Sequence, residues 1–474
     1  DGDGGGHVAA IFDFAAATNA LDGAVKPRFC LTLTILALVA CACQPPAADP
    51  APIKSGEPAK AAMEPVLHIA GALENGELGF RFESPLDVDG DGVDDIAAGT
   101  RFDGDNGQNG AAHVWSGADG KHIHGQKGQF RDGMLGQSVV LLPDVNGDGL
   151  ADVIMAAPAG HTEQSGILYA YSTASKSALW TRHGKPRQNL GWDMAVAEDH
   201  NGDGVADLFV GAPGREQGEV HLISGRTGET LQVYTSGVAR DAHGWRLSTV
   251  PDLDGDGRQD FVVGAPMTTT DAGHTVGAAR VMSSGTGKVL HRWEGAHQGA
   301  LFGEMVCGLG DLNGDGRAEI AVSAVYTRAE EGPLEGTVTI YSGADGAVLR
   351  HWKGRQRGEL YGRMLSRAGD YDGDGIGDLA IGAPWHEHAG AKRAGRFEIR
   401  SGATGEILTE RVGSRPSQWL GWHMAPGQRL GPGRRPGLVV ASLRAKEGGL
   451  EGAGALDIFV YPQPSTSNTS PPEH

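Results

Sequence analysis

Apolar and polar positions alternate along most of the chain, and the alternating stretches recur in a fixed order. A glycine precedes a stretch such as QSVVLL (137–142), whose period of two is that of a half-buried strand. A short acidic loop follows, and then an apolar run such as DLFVGAP (207–213). After a polar loop of changing length come a further alternating stretch, EVHLIS (219–224) or TVTIYS (337–342), a TG or DG turn, and a last strand such as KVLHRWEG (288–295). Each unit of about 57 residues therefore predicts four short strands with turns between them, which fits one blade of a propeller.

The acidic loops fix the register of the repeat. They begin at Asp87, Asp144, Asp199, Asp252, Asp311 and Asp370. Eight residues before each start lies Gly79, Gly136, Gly191, Gly244, Gly303 or Gly362, and twelve after it lies Gly99, Ala156, Gly211, Gly264, Ser323 or Gly382. Continuing the count reaches Gly421 and Ala441, so a seventh repeat is present, although its loop RLGPGRRPG (429–437) carries no acid. That repeat ends on third-strand material, ALDIFV (455–460), while VLHIAG (66–71) near the other end has the look of the fourth strands VLHRWEG and VLRHWKG. The prediction is an all-β, seven-bladed β-propeller of four-stranded antiparallel blades. Its N-terminal strand completes the last blade, which removes the sheet edges an open arc would expose.

The loops carry the candidate chemistry. Positions one, three, five, seven and nine are Asp87, Asp89, Asp91, Val93 and Asp95 in the first loop, and Asp144, Asn146, Asp148, Leu150 and Asp152 in the second. The third has Asp199, Asn201, Asp203, Val205 and Asp207; the fourth has Asp252, Asp254, Asp256, Arg258 and Asp260. The fifth has Asp311, Asn313, Asp315, Arg317 and Glu319, and the sixth has Asp370, Asp372, Asp374, Ile376 and Asp378. Side-chain oxygens at positions one, three, five and nine, with a main-chain carbonyl at seven, make a hard-oxygen set in a flexible turn. Such a set suits Ca²⁺, and about six sites are expected. An EF-hand would need a bidentate Glu at position twelve, where this chain has the strand residues Ala98, Met155, Val210, Val263, Val322 and Ile381.

The glycine often preceded by an aromatic (Phe302-Gly303, Tyr361-Gly362), the D-x-[DN]-x-D-G-x-x-[DE] loop and the GAP tripeptide together resemble FG-GAP repeats, as in the N-terminal propeller of integrin α subunits. The resemblance covers residues 64–462. It implies calcium loops joining first and second strands on one face and ligand-binding loops on the opposite one. The acid-free seventh loop departs from the pattern, and no metal is carried over to it.

The ends read differently. Residues 1–25 stand as an upstream extension. Lys26-Pro-Arg28, the apolar run from Phe29 to Ala40 and Cys41 make a signal pattern over 26–41, because twelve apolar residues are too few to span a bilayer. Leu38-Val39-Ala40-Cys41 resembles the lipobox of bacterial lipoproteins, in which the cysteine is lipidated. Residues 42–63, rich in Pro and Ala, read as a flexible tether, and 463–474 as a disordered tail. The expected location is the bacterial envelope, held by the lipid alone, at the outer membrane or cell surface.

Composition narrows the partners. The chain has 76 glycines among 474 residues, which disfavours long helices, and its net charge of −19 opposes binding to nucleic acid. No nucleophile elbow, zinc-protease or P-loop motif is present. His386-Glu387-His388 reads as solvated loop, Cys307 as a buried thiol in an inner strand, and Trp192, Trp245 and Trp422 as packing between blades. The expectation is a monomeric, non-enzymatic adhesion module for a protein or glycan, bound through the variable loops. A propeller hydrolase or lyase acting on a polysaccharide or phosphoester is the alternative.

Overall fold

The computed structural model describes residues 63–462, apart from 84, 103–108, 215 and 329–333. The signal segment with Cys41, the tether before Met63 and the tail lie outside the described residues.

Seven four-stranded antiparallel sheets follow one another along the chain. Blade 2 is typical, with strands Ser138–Leu142, Asp152–Ala157, Ile167–Tyr171 and Ala178–His183. The burial gradient follows position in the ring. In blade 2 the first two strands are buried at every residue, whereas the fourth alternates between exposed and half-buried positions. Inner strands meet neighbours on both sides and read as continuous apolar runs; outer strands face water on one side and alternate. Apolar clusters fill the seams between blades. One joins Val140, Ile154 and Leu168 of blade 2 to Met194, Val210 and Ile223 of blade 3. Each such side chain contributes about 1.5–3 kcal/mol by leaving water.

The repeat glycines sit where neighbouring backbones touch. A Cβ on Gly99 would come within 1.9 Å of the Gly136 carbonyl of the next blade, and Gly211, Gly264 and Gly382 meet Gly244, Gly303 and Gly421 in the same way at 2.0–2.2 Å. Where the GAP position has a side chain, the following blade's glycine provides the room. A Cβ on Gly191 would lie 2.7 Å from the Ala156 Cβ, and one on Gly362 would lie 2.9 Å from the Ser323 Cβ. All seven repeat glycines also have φ between 79° and 92°, a region that disfavours side chains. Spacing is invariant at these two positions because a shift by one residue would drive a side chain into a neighbouring backbone.

The ring closes as the sequence predicts. Pro65–Ala70 pairs antiparallel with Ala455–Val460 as the fourth strand of blade 7, with Ile69 opposite Leu456. Blade 7 in turn packs on blade 1, where Leu78, Phe82 and Ile96 share a core with Val439, Ala441 and Leu456.

Candidate metal sites and the opposite loop face

The six acidic loops join first and second strands, so all stand at one end of the ring. Each folds around its own carboxylates. The position-one aspartate accepts N–H bonds from both loop glycines: Gly90 and Gly92 donate to Asp87 at 2.7 and 2.9 Å, and Gly202 and Gly204 to Asp199 at 2.7 Å each. Nothing lies within 4 Å of a Cβ placed on Gly202 or Gly204, so their φ of 76° and 85°, and not crowding, explains the glycine.

Position nine is the loop's anchor to the sheet. Asp95, Asp152, Asp207, Asp260 and Glu319 are fully buried, and Asp378 nearly so. One oxygen of Asp95 accepts the Val88 N–H (2.8 Å), and the other accepts that of Gly117, beyond the third strand of the same blade (3.0 Å). Asp260 and Asp378 repeat this with Leu253 and Ser284, and with Tyr371 and Gly402. Burial outweighs these hydrogen bonds and pushes Asp95 up to about 7, and Asp260 and Asp378 to about 6. In the fifth loop Glu319 Oε1 is buried with no hydrogen-bond partner among the described residues. An orphaned buried carboxylate oxygen beside two further acids fits a cation.

Four loops bring three carboxylates within 4.8 Å of one another: Asp87, Asp89 and Asp95; Asp252, Asp254 and Asp260; Asp311, Asp315 and Glu319; and Asp370, Asp372 and Asp374. In the second, third and fifth loops the position-three residue is an asparagine, whose amide donates to the position-five aspartate. Asn146 reaches Asp148 and Asn201 reaches Asp203, both at 2.9 Å. Position seven donates its N–H to position five, as Val93 does to Asp91 (2.7 Å) and Leu150 to Asp148 (3.0 Å).

The seventh loop contributes to the first site's surroundings. Asp94 is buried and accepts the N–H groups of Gln428 and Arg429, and the Arg429 guanidinium lies 2.8 Å from it. Arg434 donates to the Asp91 carbonyl. Arg429, at the position of the first acid, and Arg434, at that of the second loop glycine, thus bind the neighbouring acidic loop.

At the other end of the ring the structure corrects one expectation. Glu387 and His388 are exposed as predicted, but His386 is buried, with Nδ1 2.6 Å from Glu359 Oε2. It belongs to a network that local motifs do not reveal. Arg396, 1% exposed, pairs with Glu359 and Glu398, and Tyr361 donates its hydroxyl to Glu398 at 2.7 Å. Against the cost of burial, the His386 and Arg396 contacts hold Glu359 down at about 2. One signal was available: the residue three before the repeat glycine is Gln188, Asp241, Glu359 and Gln418 in four repeats, a polar position inside an otherwise apolar frame. Cys307 is buried in the inner strand Phe302–Gly308, and burial pushes its thiol up to about 11. Trp192 and Trp245 pack across the seam of blades 3 and 4 with centroids 4.7 Å apart.

The FG-GAP repeat model matches residues 135–171, 190–223, 243–281 and 366–396, which fall in blades 2, 3, 4 and 6. Integrin alpha-4 of Xenopus laevis is 29% identical over 247 residues, covering 49% of this chain and 23% of its own length. Integrin alpha-V of Gallus gallus is 30% identical over 45% of this chain and 22% of its own, and integrin alpha-PS2 of Drosophila melanogaster 30% over 41% and 15%. The chain thus spans less than a quarter of the length of these relatives. The solved structure of BBS1N in complex with ARL6DN, soaked with lead, aligns with a TM-score of 0.55 over 85% of this chain and 98% of that one, at 11% identity, a likeness of fold alone. The chain carries FG-GAP repeats, folds as a seven-bladed β-propeller of four-stranded blades, and is similar over part of its length to integrin α chains.

Proposed function

We propose that this chain is a calcium-loaded binding module, lipid-anchored through Cys41 at a bacterial envelope, that holds a protein or glycan by the loops opposite its acidic end. The observation that carries the calcium reading is the shared frame of six acidic loops, each with a buried position-nine carboxylate tied to the sheet. Positions one, three and five stand at the surface end, where incoming Ca²⁺ meets oxygens already ordered by the loop glycines. The similarity to integrin α chains supports binding rather than catalysis.

Elemental analysis after dialysis against millimolar Ca²⁺ is expected to approach six ions per chain, and chelation to lower the melting temperature. Each ion stabilises by about 2.7 kcal/mol at a hundredfold excess over its dissociation constant. A chain without bound calcium whose melting ignores chelator would falsify this reading. The anchor is tested separately: Cys41→Ser is expected to move the protein from the membrane fraction to the soluble one, and fatty-acid labelling that persists in the variant overturns lipidation there.

A further inference from the structure

Opposite the acidic loops, blades 6, 7 and 1 share a row of aromatic rings. Trp385 and Trp419 have centroids 5.8 Å apart, Trp419 and Trp422 stack at 5.3 Å, and Trp422 lies 6.2 Å from Phe80. Four arginines from different segments lie on this row. Arg393 sits over Trp385 at 4.7 Å, Arg444 over Trp419 at 5.5 Å, Arg363 over Trp422 at 4.3 Å and Arg101 over Phe80 at 5.5 Å. Trp419 and Trp422 are buried, while Trp385, Phe80 and the four arginines are half-buried. The outer layer is therefore mostly guanidinium, laid on an indole floor. Stacking engages the face of a guanidinium and leaves its N–H edge for oxygen partners, an edge that Arg444 already uses in part by donating to Asn75 Oδ1 at 3.2 Å.

The charge here runs against that of the whole chain, whose net is −19. Among the described residues, the carboxylates beside the four guanidiniums are Glu77, 3.8 Å from Arg444, and Glu304, next to Arg363. Burial pushes both above the ordinary glutamate range, against the pull of the neighbouring arginines.

The main chain of this face is already engaged. Trp385 N–H bonds the Glu359 carbonyl, Trp419 that of Arg393, Leu420 that of Ala394 and Gly454 that of Ala445. An extended peptide binds a sheet or loop largely through main-chain donors, and these are taken. What remains is a set of guanidinium edges over a row of aromatic rings whose centroids are 5.3–6.2 Å apart, steps close to the length of one pyranose unit. We propose that this face binds an anionic polysaccharide, with Arg101, Arg363, Arg393 and Arg444 taking its carboxylate or sulfate groups and the half-buried rims of Trp385 and Phe80 packing against its sugar C–H groups. This rests on the reading of the chain as a binding module; it is independent of calcium and of the anchor.

The test is affinity electrophoresis of the full chain, loaded with Ca²⁺, through gels containing polygalacturonate, dextran sulfate, neutral dextran or poly-glutamate. Retardation by polygalacturonate or dextran sulfate, absent with dextran and weakened by salt, is expected; which of the two acts identifies carboxylate or sulfate. Arg393→Ala and Arg444→Ala together are expected to weaken it at least tenfold, and Arg393→Ala alone to weaken it measurably should the double variant fold poorly. Arg292→Ala, on the outer strand of blade 4 and 44% exposed, removes the same charge elsewhere and is expected to change little. Equal loss with Arg292→Ala, retardation by poly-glutamate alone, or no retardation by any polymer overturns the proposal. A ligand whose capture ignores the arginine variants overturns it too, yet leaves the binding-module reading standing.

Discussion

Blades 6 and 7 stand side by side on the same glycine frame, yet join their first and second strands by opposite means. In blade 6 the strands Met364–Gly369 and Asp378–Ala383 have six residues each and are bridged by a carboxylate-lined loop. In blade 7 the corresponding strands, Leu420–Leu430 and Arg435–Ser442, run to 11 and 8 residues and pair down to Leu430 and Arg435, where Arg434 N–H closes the turn on the Gly431 carbonyl. Main-chain hydrogen bonds do in one blade what side-chain oxygens do in the other. The frame of the repeat is therefore set by the inter-blade glycines, and the loop chemistry is a local choice that six blades made alike.

The two blades also differ three residues before the repeat glycine, and the largest expected effect lies there. Gln418 of blade 7 accepts the N–H groups of Ser414 and Arg415 and donates to Ser442. Glu359 of blade 6 accepts the Arg355 N–H but also balances Arg396 and His386. Glu359→Gln makes blade 6 like blade 7 at this position while leaving a buried guanidinium short of a counter-charge, at a cost of about 3–5 kcal/mol. Urea unfolding in saturating Ca²⁺ measures it, and a loss below about 1 kcal/mol would show that the network is replaceable. The pH dependence has a definite sign. Glu359 has its pKa lowered from 4.5 to about 2, so its stabilisation is present above the higher value and disappears as pH falls through the lower one.

Next in size is the loss of one ion. Asp374→Ala removes a position-five carboxylate from the blade 6 loop and is expected to take one calcium from the elemental count, with about 2.7 kcal/mol at a hundredfold ligand excess. Arg434→Ala in the blade 7 loop is expected to keep the full count. Equal counts for the two variants would mean that the acidic loop and its arginine counterpart do not differ in metal binding.

How much of this was legible follows from how local each determinant is. The blades, their number and the closing strand were readable because each rests on residues at fixed distances along one repeat: Gly136 and Ala156, or Val66 to Gly71 against Val289 to Gly295. The acidic loops were readable for the same reason. The Glu359 network was not, since Arg396, Glu398 and His386 come from the third strand and the preceding loop, with no common spacing across repeats. Nor was the burial of His386, which looks like any polar loop residue until Glu359 is placed beneath it. The row of Trp385, Trp419, Trp422 and Phe80 spans three blades and the closure point of the ring, and its members become neighbours only once the last blade meets the first.

The smallest expected effect concerns the strand that blade 7 borrows. His68 lies on Pro65–Ala70, with Nδ1 2.7 Å from Asp457 on the adjoining strand and Nε2 3.3 Å from Glu447. No counterpart of this contact joins strands so distant in sequence in blade 6. Hydrogen bonding to Asp457, opposed by partial burial and helped by Glu447, raises its pKa from 6.5 to about 9. A raised folded-state value means that the stabilisation is fully present below pH 6.5 and is lost as pH rises through about 9. The side chain is 44% exposed, so screening limits the contribution to about 1 kcal/mol or less. His68→Gln is therefore expected to lower the melting temperature slightly at pH 6, with the difference from the parent shrinking above pH 9 as the parent's imidazolium loses its proton. Arg415, 3.9 Å from Glu447, competes for that carboxylate, so Arg415→Ala is expected to widen the difference at pH 6. A difference between parent and His68→Gln that stays constant across this range would assign the contact to packing of the closing strand and not to its charge.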